Sequence, residues 1–216
     1  MVLIDPVGLN LDEIRGPKKV RRPNFFVRFF SSLFLILFFS ALIFLTINFP
    51  AYFLIYRYRL NPESLAQKVP SAESPVNKLS DNSLAISKIS VNSPVHWDTN
   101  PTEILPTLED NLAHVSGSGK PGEGKNIFIT GHSSNYWWKK GNLNTVFALL
   151  PELSEKDEIL LSYQGKIHRY VVSERKEVPK KEVTNHFYSD SEQLTLVTCV
   201  PVGTNLRRLI IIAKPI

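Results

Sequence analysis

Residues 194–213 read LTLVTCVPVGTNLRRLIIIA. Two apolar runs, Leu194–Cys199 and Arg208–Ala213, flank a loop that holds Pro201 and Gly203. Short runs rich in Val, Ile and Thr between turn residues are the pattern of β-strands, so this stretch predicts a final strand pair. The same punctuation recurs upstream. Asn126–Thr130 (NIFIT) follows a turn on Pro121-Gly122-Glu123-Gly124. Asp157–Tyr163 and Lys166–Ser173 flank Gln164-Gly165 and predict a hairpin. Ala85–Val91 is predicted as the first strand. Helical turns are expected over Thr102–Leu112 and Leu143–Leu150. Residues 85–216, roughly 130 positions, have a common size for one compact domain of the mostly β class.

Cys199 closes the first of the two terminal runs. A strand end gives a side chain a rigid base while leaving it accessible, which nucleophilic catalysis requires. It is the chain's one cysteine, so an intramolecular disulfide and a zinc site built on several thiolates are both excluded. The alternative is a buried cysteine acting as a small hydrophobe. A nucleophilic thiol needs a partner that moves protons near neutral pH, and histidine is the usual choice. Of the five histidines, His132 follows the NIFIT run and a glycine, so it too occupies a strand end. By position it is the first choice of partner and His114 the second. His168 lies within a predicted strand, and His96 and His186 lie in loop-like stretches. Arg207 and Arg208 open the last strand. Side chains alternate along a strand, so one of the two faces the Cys199 side, where its fork of donors would suit an oxyanion. Both standing as solvated rim charges is the alternative.

The net charge of +5 is unevenly spread. Residues 1–28 carry six Lys/Arg and three Asp/Glu, residues 29–84 four and three, and residues 85–216 fifteen and fourteen. The near-neutral C-terminal region excludes a basic nucleic-acid-binding domain. The tail 1–28 ends in a basic cluster of Lys18, Lys19, Arg21, Arg22 and Arg28. It precedes FFSSLFLILFFSALIFLTINF, residues 29–49, which has no charged residue. As a helix this run would span about 31 Å, the thickness of a bilayer core. Apolar character continues to about residue 56, with Tyr52, Tyr56 and Tyr58 placed as an interfacial belt. The bulky Phe49-Pro50-Ala51-Tyr52-Phe53 does not suit a cleavage site, so a retained anchor is expected. The basic flank predicts a cytoplasmic N-terminus and an extracellular C-terminal domain. Residues 50–84 read as a juxtamembrane segment followed, from 60, by a flexible linker rich in Pro, Ser and Asn.

Taken together these residues resemble the sortase family. Thr195-Leu196-Val197-Thr198-Cys199, then Pro201, Gly203 and Arg208-Leu209, is similar to the family's signature strand, loop and trailing arginine. Ile86-Ser87-Lys88-Ile89 resembles the first strand. Leu112-Ala113-His114 with Gly117–Glu123 resembles the segment before the histidine strand, and Ile127–His132 resembles that strand. The likeness covers roughly residues 85–216. It implies a closed eight-stranded β-barrel with short helices, behind one N-terminal transmembrane helix. It also implies Cys199 as nucleophile, His132 as general acid/base and Arg208 as the stabilising arginine. His114 matches a second histidine that many members carry. Thr198, His114 and Trp137 are expected at the substrate. The implied activity is cysteine transpeptidation: cleavage of a C-terminal sorting signal of an exported protein through a thioester, then transfer to an amine of a cell-wall precursor or a pilin lysine.

No cofactor or metal is expected. Some members bind calcium, but Glu109-Asp110 and the carboxylates of Glu174–Glu182 do not form an EF-hand pattern. The linker lacks an Asp-Pro-aromatic lid motif, whereas TLVTCVPVGTNLRRL is worded like pilin-polymerising members, so the subclass stays open. A Cys–His hydrolase with water as acceptor and a non-catalytic peptide-binding β-domain are the rival readings.

Overall fold

The computed structural model describes residues 24–63, 79–136 and 138–216. The basic cluster at 18–22, most of the linker and Trp137 lie outside the described residues. Helix α1, Phe25–Leu60, precedes eight strands: β1 Ser83–Ile86, β2 Val91–Thr99, β3 Leu112–Val115, β4 Asn126–Thr130, β5 Glu158–Tyr163, β6 Lys166–Pro179, β7 Gln193–Val200 and β8 Arg207–Pro215. A short helix α2, Ile104–Thr107, lies between β2 and β3. The chain divides into two compact units, residues 1–42 and 43–216.

The strands close a barrel in the order β1-β2-β3-β4-β7-β8-β6-β5. The β2–β3 and β4–β7 pairs are parallel, and the remaining pairs are antiparallel. Closure leaves no free sheet edge. The period of two along each strand fills the interior: Leu84 and Ile86, Ile127 and Ile129, Leu194 and Leu196, Leu209 and Ile211 all join one buried cluster with Tyr170. Phe128, Val197, Ile210 and Ile212 face the opposite way. They form a second cluster on the outer wall with Val178, packed against Val183 and Phe187 of the segment that follows β6. Glu192 ties that segment down, accepting from Tyr170 Oη at 2.9 Å and from the backbone N–H groups of Gly122 and Gly124.

Several elements differ from the sequence expectation for local reasons. The predicted single strand Ala85–Val91 is broken by a 3-10 turn over Ser87–Ile89, and Ser90, with a left-handed φ of 56°, completes a turn that reverses the chain and sets Ile86 opposite Val91. β2 then runs back antiparallel to β1 and on to Thr99. The helical turn expected over Thr102–Leu112 shrinks to Ile104–Thr107, because Leu112 starts β3. The Gln164-Gly165 turn is as expected: both residues have positive φ, the geometry whose twist matches a two-residue hairpin.

Helix α1 continues beyond Phe49, through Pro50, to Leu60. It is long and apolar enough to cross a membrane, with a mean hydropathy of 2.5 over its most apolar window and none of that window buried.

Candidate active site

The site is built by register. β4 runs parallel to β7 with Thr130 level with Val197, and β7 runs antiparallel to β8 with Cys199 opposite Arg208. Leu194, Leu196 and Val200 point into the barrel whereas Val197 points out, so alternation sends Cys199 to the outer wall. The same count on β8, with Leu209 and Ile211 in and Ile210 out, places Arg208 beside it. Directly opposed side chains in an antiparallel pair stand about 4.5–5.5 Å apart at Cβ. Arg207 does not share that face. Its Nη2 donates to the Glu177 backbone O at 2.9 Å.

His132 reaches the same place from β4. Gly131 precedes it, and a Cβ there would lie 2.6 Å from the Phe147 ring and 2.7 Å from Leu112. The glycine is therefore required by close packing rather than by a left-handed turn. Gly131 N–H donates to the Val197 O, and Phe147 N–H donates to the His132 O at 2.9 Å, which fixes the backbone on both sides of the ring. Thr198 points inward, 1% exposed, and its Oγ1 donates to the Gly131 O at 2.8 Å. Its place is a tie between the two strands rather than a position in the cleft.

His132, Cys199 and Arg208 line one cleft of about 530 Å³. Ile104, Leu105 and Leu108 give it an apolar side, and Asn205, Thr204 and Lys180 a polar one. Cys199 is a free, half-buried thiol. Arg208 is fixed at both ends of its fork: Nη1 donates to the Arg207 O at 3.0 Å and Nη2 to Asn205 Oδ1 at 2.6 Å. The same Asn205 oxygen faces Cys199 Sγ at 3.8 Å, so one amide spans the thiol and the guanidinium. Sequence reasoning did not single out Asn205, because a loop asparagine in the β7–β8 connection carries no signal of its own. Burial holds the His132 imidazole below the ordinary histidine value; Glu109 opposes the shift and Lys139 adds to it. The resting ring is therefore biased toward the neutral form.

His114 is fully buried and does not line the cleft. Its Nδ1 accepts from the Asp98 N–H at 3.1 Å, and its Nε2 faces the Gly119 O and Ser118 Oγ, each at 2.9 Å. Those contacts fix a neutral Nε2–H tautomer, and burial is the main cause of its lowered pKa. Beside the undescribed Trp137, Tyr136 lines the cleft and stacks on Trp138 at 4.8 Å. Among the described residues no three His, Cys, Asp or Glu side chains gather in one place.

A closed eight-stranded barrel with a free thiol, an imidazole and a guanidinium in one cleft of its outer wall defines a cysteine-centred β-barrel protein. The Sortase domain family matches residues 84–216, and the chain belongs to that family. Membership implies transpeptidase activity. No curated protein sequence matches the chain. Among solved structures, a sortase D5 transpeptidase of Clostridium perfringens is 27% identical, with a TM-score of 0.52, over 62% of this chain and 77% of that one. A lid mutant of sortase A from Corynebacterium diphtheriae is 24% identical, with a TM-score of 0.52, over 77% and 93%. Sortase C-1 from Actinomyces oris is 22% identical, with a TM-score of 0.53, over 75% and 98%. The last two speak to the fold alone.

Proposed function

We propose that the chain is a membrane-anchored cysteine transpeptidase in which Cys199, His132 and Arg208 carry the reaction. The observation that carries this reading is the register that sets Cys199 opposite Arg208 in the cleft that His132 also lines. Cys199 attacks a backbone carbonyl of a sorting signal near the C-terminus of an exported protein, and its thiol proton passes to the neutral His132 ring. Arg208 donates to the carbonyl oxygen as negative charge grows there. As the C–N bond breaks, His132 returns that proton to the leaving amine, and the substrate acyl group remains on Sγ as a thioester. An incoming amine, giving its proton to His132, displaces the thiolate and forms a new amide. The amine belongs to a cell-wall precursor or a pilin lysine. The Clostridium perfringens relative, described as a transpeptidase, supports transfer over hydrolysis.

Residues 29–49 hold the enzyme in the membrane, with residues 1–28 in the cytoplasm and the catalytic domain, residues 85–216, outside. Donor and acceptor held at one surface meet at a raised effective concentration.

The test is to incubate the full chain in detergent with a library of sorting-type peptides and an amine, and to follow products by mass spectrometry. An acyl adduct on Cys199 and an amide product are expected. Full activity in Cys199→Ala would refute the mechanism, and free acid alone at high amine would make the protein a hydrolase. For topology, protease added to intact cells should cut within residues 60–84; full protection there would reverse the orientation.

A further inference from the structure

Residues 43–60 of α1 belong to the same compact unit as the barrel. They meet the loop between β7 and β8 at two adjacent points. Tyr52 Oη donates to the Val202 O at 3.1 Å. Asn48 comes so close to Gly203 that a Cβ on the glycine would lie 2.7 Å from Asn48 Oδ1. Gly203 also has a φ of 84°, so side chains are disfavoured there on two counts. Asn48 is 6% exposed and is itself fixed, Nδ2 donating to the Phe44 O at 2.9 Å. Beside this contact Ala51, Ala148 and Val202 form a small buried cluster, packed by Leu54 and Ile55.

From the other side, Gly203 N–H donates to Ser134 Oγ at 2.9 Å, two residues beyond His132. The helix, the loop after the nucleophile and the loop after the histidine therefore converge on Val202–Gly203. Two residues further along is Asn205, the amide that touches both Arg208 and Cys199. Asn205 is exposed, so nothing in a core fixes it; its position depends on how the loop is held. Displacements of about 1 Å at a reacting centre cost rates of order 10²-fold, so what holds this loop matters to turnover.

We propose that Tyr52 and Asn48 of the apolar helix are positioning residues for acyl transfer: they seat Val202–Gly203 against Ser134 and thereby hold Asn205 between Cys199 and Arg208. The proposal rests on the reading of Cys199, His132 and Arg208 as the reacting groups. Asn48 stands at the outer end of the proposed span 29–49, so that end of the helix serves the catalytic unit while the preceding residues anchor it. Ile47 and Asn48 also line the cleft itself.

The test uses the full chain in detergent with Tyr52→Phe, Asn48→Ala and Gly203→Ala. In the first two, amide hydrogen exchange across residues 202–206 should speed up. Their kcat should fall roughly two- to tenfold, through the lost Tyr52–Val202 hydrogen bond in the first and the lost packing of Asn48 against Gly203 in the second, with KM little changed. Gly203→Ala should lose more, and adding Asn48→Ala to it should recover part of the loss. Unchanged exchange in both helix variants would overturn the proposal, as would faster exchange with wild-type kcat. Turnover by Cys199→Ala would defeat the reading of the reacting groups and the catalytic half of the proposal. The exchange data separate that failure from a helix that does not hold the loop.

Discussion

Replacing Arg208 by alanine isolates the electrostatic part of the site. Its guanidinium stands opposite Cys199 on the same wall, clamped by the Arg207 carbonyl and Asn205 Oδ1. These two bonds leave further N–H donors of the fork free for a substrate oxygen. Because the clamps fix the fork before substrate arrives, little reorganisation accompanies charge development, and preorganised donors of this kind are worth roughly 10²- to 10³-fold in kcat. Stability should change by only about 0.5 kcal/mol, since the side chain is on the half-exposed rim and leaves no cavity in the core. Arg207→Ala is the internal control: same charge, next position, other face, bonded to the Glu177 carbonyl. Its kcat should stay within about twofold of wild type, as expected for a charge that meets no reacting atom. The assay is single-turnover thioester formation by quenched mass spectrometry, with thermal melts alongside. Equal losses in the two variants would refute the face assignment, and an Arg208→Ala kcat close to wild type would refute the oxyanion role.

Other consequences are simpler to state. His132→Gln should reduce amide formation by about 10²- to 10⁴-fold, the usual worth of a general acid/base, measured with saturating amine. Asn205→Ala removes an acceptor from a charged donor; kcat should fall about tenfold while Cys199 stays accessible to a thiol reagent. Burial lowers the pKa of both His114 and His132 from 6.5, so the unfolded chain binds protons that the folded barrel does not. Stability is then fully present above the unfolded value near 6.5 and is lost as pH falls below it. Melts from pH 7.5 to 5 should show that decline, reduced in His114→Gln; a flat profile would contradict the assignment of His114 as a buried neutral ring.

The barrel was legible where strands are short and bounded by strong turn signals. Asn126–Thr130 and the Gln164-Gly165 hairpin fall where the sequence puts them, because periodicity and turn chemistry are local properties. The β1–β2 hairpin is not legible, because Ser90 helps turn the chain by backbone geometry that a serine does not announce. At Gly131 the demand for glycine comes from the Phe147 ring and Leu112. That contact joins segments far apart in the chain, and no local pattern encodes it.

The choice between Arg207 and Arg208 sits between these cases. Alternation alone says that one of them shares the face of Cys199, but which one depends on the residue count through the β7–β8 loop, hence on how that loop folds. Here the pairing of Cys199 with Arg208 fixes it, and the loop is held from outside the strands by Ser134 and Tyr52. The outer wall also separates two demands. Leu194, Leu196, Leu209 and Ile211 fill the barrel, while Cys199 and Arg208 alternate with them on the far face of the same strands. Polar groups there need no place in the core, so the chemistry can change without opening a cavity. Thr198 is the exception, an inward hydroxyl that sets the height of Gly131 and so of His132. Thr198→Val should therefore disturb both at once, leaving the Gly131 carbonyl without its donor and the imidazole off its level with the thiol.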